Sequence, residues 1–145
     1  MVRGGRADRG PPAPSFHRVD VRRSSGPVRI EVDGDVVAET TGARLLFETS
    51  LPLRFDAPRE DVRVELHPGS RRTYCPYQGQ ASYWSVDAGG RGREDLAWTY
   101  EEPLPHAIAG LVAFWDERVD VFLDRERRER PGGAMAESLR DEFGV

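Results

Sequence analysis

Lysine is absent from this chain, and all 21 of its basic side chains are arginine. A guanidinium stays protonated and forms no Schiff base, so lysine-dependent nucleophilic and general-base mechanisms are excluded. Cysteine is nearly as scarce. A single residue, Cys75, makes no internal disulfide and cannot build a cysteine-rich zinc site. Histidines and carboxylates do not replace it. The chain has no His-x-x-x-His, Cys-x-x-Cys or Asp-x-Asp-x-Asp spacing, so neither a metal nor another cofactor is expected. Long apolar runs are missing too. None approaches the roughly 20 residues of a membrane span. The basic start, Met1 to Arg6, has no apolar stretch behind it and does not read as a secretory signal. The expected location is the cytoplasm, with no membrane partner. A net charge of −4 lacks the basic footprint of a general nucleic-acid binder, so no nucleic-acid partner is expected either.

A chain of 145 residues with a 38% hydrophobic share supports one ordinary core. Residues 1–15 are Arg, Gly and Pro with little to bury and read as a disordered leader. Residues 16–124 read as a single β domain. Val19 and Val21 alternate with polar residues. Val28, Ile30 and Val32 alternate up to Asp33-Gly34-Asp35, and Val36 to Thr40 returns, which is a strong hairpin signal. Short apolar runs follow at 44–48 and 51–55. Asp56 to Asp61 reads as a turn or one helical turn, with Pro58 in it. Val62, Val64 and Leu66 alternate as a further strand, turned by Pro68-Gly69-Ser70. Between His106 and Asp124, helical spacing of Ile108, Leu111, Val112, Trp115, Val119 and Phe122 competes with alternation of Val119, Val121 and Leu123. A short helix followed by a strand is expected. Residues 125–145 are charge-dense, interrupted by Pro131-Gly132-Gly133. They read as a flexible tail, with a marginal helix near Ala134 to Phe143. Eight or nine short strands with at most one substantial helix point to a mainly antiparallel β fold, a barrel or two packed sheets.

The chemistry-bearing residues concentrate between Thr73 and Val86, which hold the cysteine, three of the four tyrosines and a tryptophan. Ala81 to Val86 reads as a strand. The Gly-rich stretch 87–92 turns it, and Glu94 to Tyr100 returns. A turn centred near Gly89-Gly90 is read as putting Trp84 and Val86 on a face with Leu96, Trp98 and Tyr100, and Tyr83, Ser85, Ala97 and Thr99 on the other. Gly89 to Gly92 is not a phosphate loop, since it lacks the Lys-Ser/Thr ending and a following helix. Cys75 is the candidate catalytic residue. A reactive thiol needs a lowered pKa from a cation or a histidine, and Arg71, Arg72 and His67 are near in sequence. A buried, inert thiol is the commoner fate of a lone cysteine. Tyr77, Gln78, Gly79, Ser82, Tyr83, Trp98 and Tyr100 are candidate ligand-binding residues. Glycine permits close backbone approach, amides and hydroxyls read polar groups, and aromatic rings line pockets for planar molecules. The competing account is that the aromatics simply fill a small β core. Glu48, Glu94, Asp95, Glu101 and Asp116 are available as acids or bases, without diagnostic spacing.

Five segments resemble a known family. They are 44–52 (RLLFETSLP), 58–62 (PREDV), 75–86 (CPYQGQASYWSV), 97–105 (AWTYEEPLP) and 108–115 (IAGLVAFW). Together they resemble domain-of-unknown-function family 427, over about His17 to Asp124. The resemblance implies a tent-like, complex β domain. It carries over Cys75, Pro76, Tyr77, Gly79, Ser82, Tyr83, Trp84, Trp98 and Tyr100 as motif positions. The family usually has Lys where this chain has Gln78. Family members are sometimes labelled nucleotidyltransferases, but the usual Gly-Ser and Asp-x-Asp pair is missing here. Related tent folds hold zinc through four cysteines, an arrangement one cysteine cannot make. The leading expectation is an uncharacterised β domain with a small-molecule or polar-ligand pocket at the Cys75–Gly79 loop. The alternatives are a non-catalytic structural or interaction module and, last, a nucleotidyltransferase.

Overall fold

The Asp33-Gly34 turn sets the smaller of two sheets. Both residues have positive φ, 48° and 88°, the geometry of a tight two-residue hairpin turn that suits Asp-Gly. It joins β2 (Val28–Val32) to β3 (Asp35–Thr40), as the alternation predicts. A computed structural model describes residues 19–48, 53–75, 79–100 and 108–143 of the chain. The expected leader, residues 1–15, lies outside them.

Eleven strands are present among the described residues. The larger sheet contains β1 (Val19–Arg23), β4 (Arg44–Glu48), β5 (Arg54–Pro58), β6 (His67–Cys75), β7 (Gly79–Ala88), β8 (Arg91–Tyr100) and β9 (Leu111–Phe114). Its spatial order is β1-β4-β5-β9-β8-β7-β6. The smaller sheet adds β10 (Asp120–Leu123) and β11 (Glu126–Arg127) to the hairpin, in the order β11-β10-β2-β3. Every pairing between named strands is antiparallel. The sheets do not close into a barrel.

The two sheets share one core. Val28, Ile30, Val32 and Val37 from the small sheet meet Phe55, Ala57, Val86, Leu96, Val112 and Phe114 from the large one. Each of these ten side chains is at most 2% exposed, and each contributes about 1.5–3 kcal/mol of burial free energy, less for Ala57. The opposite, outer face of the large sheet carries a second apolar group, over which α1 (Ala134–Phe143) lies. The helix forms where the tail's weak helical pattern was expected, and Leu139 and Ala136 are its buried residues.

Several expectations are corrected. Among the described residues, no α-helix lies between Ile108 and Asp116. Positive φ at Gly110 (76°) precedes a strand, and every residue from 111 to 119 is buried. A strand covered on both faces gives a continuous apolar run, and here that run mimicked helical spacing. The strand over 120–123 is present as expected. Val62, Val64 and Leu66 do not form a strand. One bridge, Ala38 to Val62, ties the segment down, and the three side chains still lean on the core. Their alternation reports burial without a ladder. Pro68-Gly69-Ser70 lies inside β6, where the register shifts between Pro68 and Arg72, and Asp56 to Pro58 belongs to β5.

The last correction decides the site. The Gly89-Gly90 turn pairs Ala88 with Arg91, so even-numbered residues of β7 oppose odd-numbered residues of β8. Tyr83 therefore faces Trp98, and Trp84 faces Ala97. An irregularity between Trp84 and Val86 preserves that parity, because β8 gains two residues there. Tyr83, Trp98 and Tyr100 share the outer face, and Trp84 leans on the inter-sheet core.

Candidate functional site

Directly opposed residues of antiparallel strands point to the same face. Asp56 opposes Ala113, Ala113 opposes Trp98, and Trp98 opposes Tyr83. Four strands thus deliver one row across the outer face, about 14 Å long at about 4.8 Å per strand. Arg54 stands two residues before Asp56 on β5 and shares its face. Trp115, just beyond β9, completes the group.

The rings pack closely. The Trp98 and Trp115 centroids are 4.6 Å apart, and Tyr83 lies 6.0 Å from Trp98 and 6.4 Å from Trp115. The Arg54 guanidinium sits 5.8 Å from the Trp98 ring and 5.3 Å from Trp115, within cation–π range. Its Nη1 donates to Glu117 Oε1 at 2.7 Å, and the Glu117 side chain is 1% exposed. Glu117 has no water as an alternative partner, so the pair leaves no isolated buried charge.

The β8 irregularity helps build this site. Asp95 has a left-handed φ of 49°, and its N–H donates to Ser85 Oγ at 3.0 Å. Its carbonyl accepts from Trp115 Nε1 at 3.2 Å and from Arg118 Nη1 at 3.2 Å. The bulge therefore orients the Trp115 indole and anchors Arg118, which also donates to the Glu94 carbonyl at 2.9 Å. Gly69 is required beside it, because a Cβ there would enter the space of Asp95 Oδ1 and stand 2.9 Å from the Tyr83 carbonyl oxygen.

Carboxyls accumulate at the Arg54 end. Burial pushes the Asp56 carboxyl up to about 7, only partly opposed by Arg54. Burial pushes Asp116 up to about 8, against Arg54 and Arg128, with Asp56 and Glu117 adding to the rise. Arg128 Nη1 lies 3.6 Å from Asp116 Oδ2. Burial also lowers Arg118 to about 10, with Asp95 opposing. Asp56 Oδ1, both Asp116 oxygens and Glu117 Oε2 are buried without a hydrogen-bond partner among the described residues. Each unmade bond of this kind costs about 1–3 kcal/mol.

The helix α1 seals the face. Leu139 enters the ring cluster, Phe143 lies 4.0 Å beneath the Arg118 guanidinium, and Arg71 pairs with Glu142 while standing 5.8 Å over the Tyr83 ring.

Of the residues singled out in the sequence, Tyr83 and Trp98 come together here. Tyr100 is half-buried between this group and the one formed by Leu46, Ile108 and Leu111. Gly79, buried with φ 106°, continues the face beyond Ala81 and pairs with Cys75. Ser82 pairs with Thr99 on the opposite face. The Cys75 side chain, Tyr77 and Gln78 lie outside what the structure describes, as does Glu101. Sequence reasoning passed over Arg54, Asp56, Glu117 and Arg118, and counted Trp115 only toward helical spacing. The available signal was charge inside apolar context. Asp56 stands between Phe55 and Ala57, and Asp116-Glu117-Arg118 stands between Trp115 and Val119.

The family described as "Domain of unknown function (DUF427)", whose model is named NTP_transf_9, matches residues 20–125. The chain belongs to this family. The match covers both sheets except β11, most of the charged cluster and the aromatic row, and it ends before α1. This DUF427 chain matches no curated protein. No helix among its described residues is long and apolar enough to cross a membrane.

Proposed function

We propose that this chain is a cytoplasmic small-molecule-binding domain, with the ligand seated on the outer face of the large sheet. A planar group stacks on Tyr83, Trp98 and Trp115, and hydrogen-bond donors reach the carboxyls beside Arg54. The Gly79 end of β7, paired with Cys75, lies on the same face and borders the site. The observation that carries this reading is the row itself: three packed rings running into buried carboxyl oxygens that have no hydrogen-bond partner among the described residues. A purely structural core would favour apolar groups there, because unsatisfied buried oxygens weaken a fold. The cover supports the same reading, because a ten-residue helix is marginal on its own and is a cover that a ligand can displace. Ligand entry displaces α1.

The test is tryptophan emission during titration with planar heteroaromatic amines, and with benzoates as acceptor-only controls. Amines are expected to quench and benzoates to have little effect. Leu139→Asp, which unseats α1, is expected to tighten amine binding, and Trp98→Leu to abolish it. No quenching by the amines, or equal quenching by the benzoates, refutes the reading. So does an amine affinity indifferent to Leu139→Asp in a chain whose far-UV spectrum is unchanged.

A further inference from the structure

A second concavity lies beside Phe55 and shares Arg128 with the acid cluster. It is a cleft of about 350 Å³ where β1 and β4 meet the end of β10. Its floor is apolar: Phe55 is 2% exposed, and Leu45, Leu53 and Leu123 lean on the inter-sheet core. Its rim is cationic. Arg22, Arg23 and Arg128 line it against a single carboxylate, Asp124.

The rim arginines are held in different ways. The Arg128 guanidinium stacks 5.1 Å over the Phe55 ring, and its backbone N–H donates to the Val121 carbonyl at 2.7 Å. It therefore stands fixed at the back of the cleft. Arg22 lies 5.9 Å over Phe47, a side chain 41% exposed. Arg23 has no ion pair or side-chain hydrogen bond among the described residues. Asp124 does not neutralise all three. Its carboxylate packs against Gly26, where a Cβ would stand 2.8 Å from Oδ2.

We propose that this cleft binds an amphipathic monoanion, its apolar body on Phe55 and the three leucines and its carboxylate at the arginine rim. The volume holds roughly a dozen non-hydrogen atoms at about 30 Å³ each, which is the scale of a medium-chain carboxylate. Charge selects the occupant. Arg128 already has Asp116 Oδ2 3.6 Å away, so Arg22 and Arg23 supply the excess charge that attracts an anion, and Arg forks match a carboxylate geometrically. The chain's own first eighteen residues carry four arginines and one aspartate, so like charge disfavours them as an internal occupant.

The experiment is an amide-resolved NMR titration of the full chain with sodium octanoate and, in parallel, with 1-octanol. Octanoate is expected to shift amides around Arg22, Arg23, Phe55 and Arg128, and octanol to bind at least about tenfold more weakly, a gap of about 1.4 kcal/mol. Arg22→Glu with Arg23→Glu, two exposed positions, is expected to lose octanoate binding while the rest of the spectrum stays in place. If that pair does not fold, Arg23→Gln alone is expected to weaken binding severalfold. No shift with octanoate, shifts confined to the Tyr83–Trp98 face, equal binding of octanol, or undiminished binding by the folded variant would each overturn the proposal.

Discussion

Asp56 offers the sharpest test of the acid cluster. Its carboxyl is 3% exposed, one of its oxygens has no partner, and burial lifts it from 3.8 to about 7. A carboxyl raised in this way binds its proton more tightly folded than unfolded. Between the two values the native state holds more protons than the unfolded chain, so stability falls as pH rises. The contribution is complete below 3.8 and lost above about 7. A shift of this size corresponds to up to about 4 kcal/mol across the window. At about 3 °C per kcal/mol for a chain of this length, that is on the order of 10 °C in Tm. Asp56→Asn keeps the shape and removes the titration. Its Tm is expected to match the parent only below about pH 3.8 and to exceed it by a growing margin up to about pH 7, with a flatter profile between. Thermal unfolding at half-unit pH steps, in buffers of constant ionic strength, measures this. A variant that follows the parent's pH profile, or that is less stable than the parent at pH 8, would refute the assignment of a buried, unpaired carboxyl.

Two other substitutions probe how the site is held. Arg54→Met strands Glu117 in a buried position and is expected to cost about 3–5 kcal/mol in urea unfolding, with most of it recovered in Arg54→Met/Glu117→Gln. Equal losses in the single and double variants would mean that Arg54 acts through packing on the tryptophans alone. Gly69→Ala places a methyl group against Asp95 and the Tyr83 backbone and is expected to cost about 2 kcal/mol or more, with a changed Trp115 near-UV signal. A neutral Gly69→Ala would show that the bulge around Asp95 is free to move.

The site was only partly legible in the sequence, for a geometrical reason. Tyr83, Trp98 and Tyr100 could be picked out because aromatics stand out in a short chain. Their shared face could not be read reliably, because it depends on the parity of a two-residue turn and on the irregularity at Asp95. Arg54 and Glu117 are 63 positions apart, and no local pattern signals that they form a pair. Asp56 looked like part of a turn because Asp and Pro favour turns. Strand pairing with β9 outweighed that local preference.

The sequence by itself determined the mainly β character, the Asp33-Gly34 hairpin and the family. Period-two alternation, tight-turn residues and local motif strings are short-range features that survive without knowledge of distant contacts. Only the tertiary structure decided that 111–114 supplies a strand where a short helix was expected, and that four charged residues stand at the end of an aromatic row. It also decided that α1 covers that row. Each of these depends on which strand lies beside which, and so on long-range pairing that fixes burial. Burial in turn sets whether a carboxyl such as Asp56 carries a charge at neutral pH.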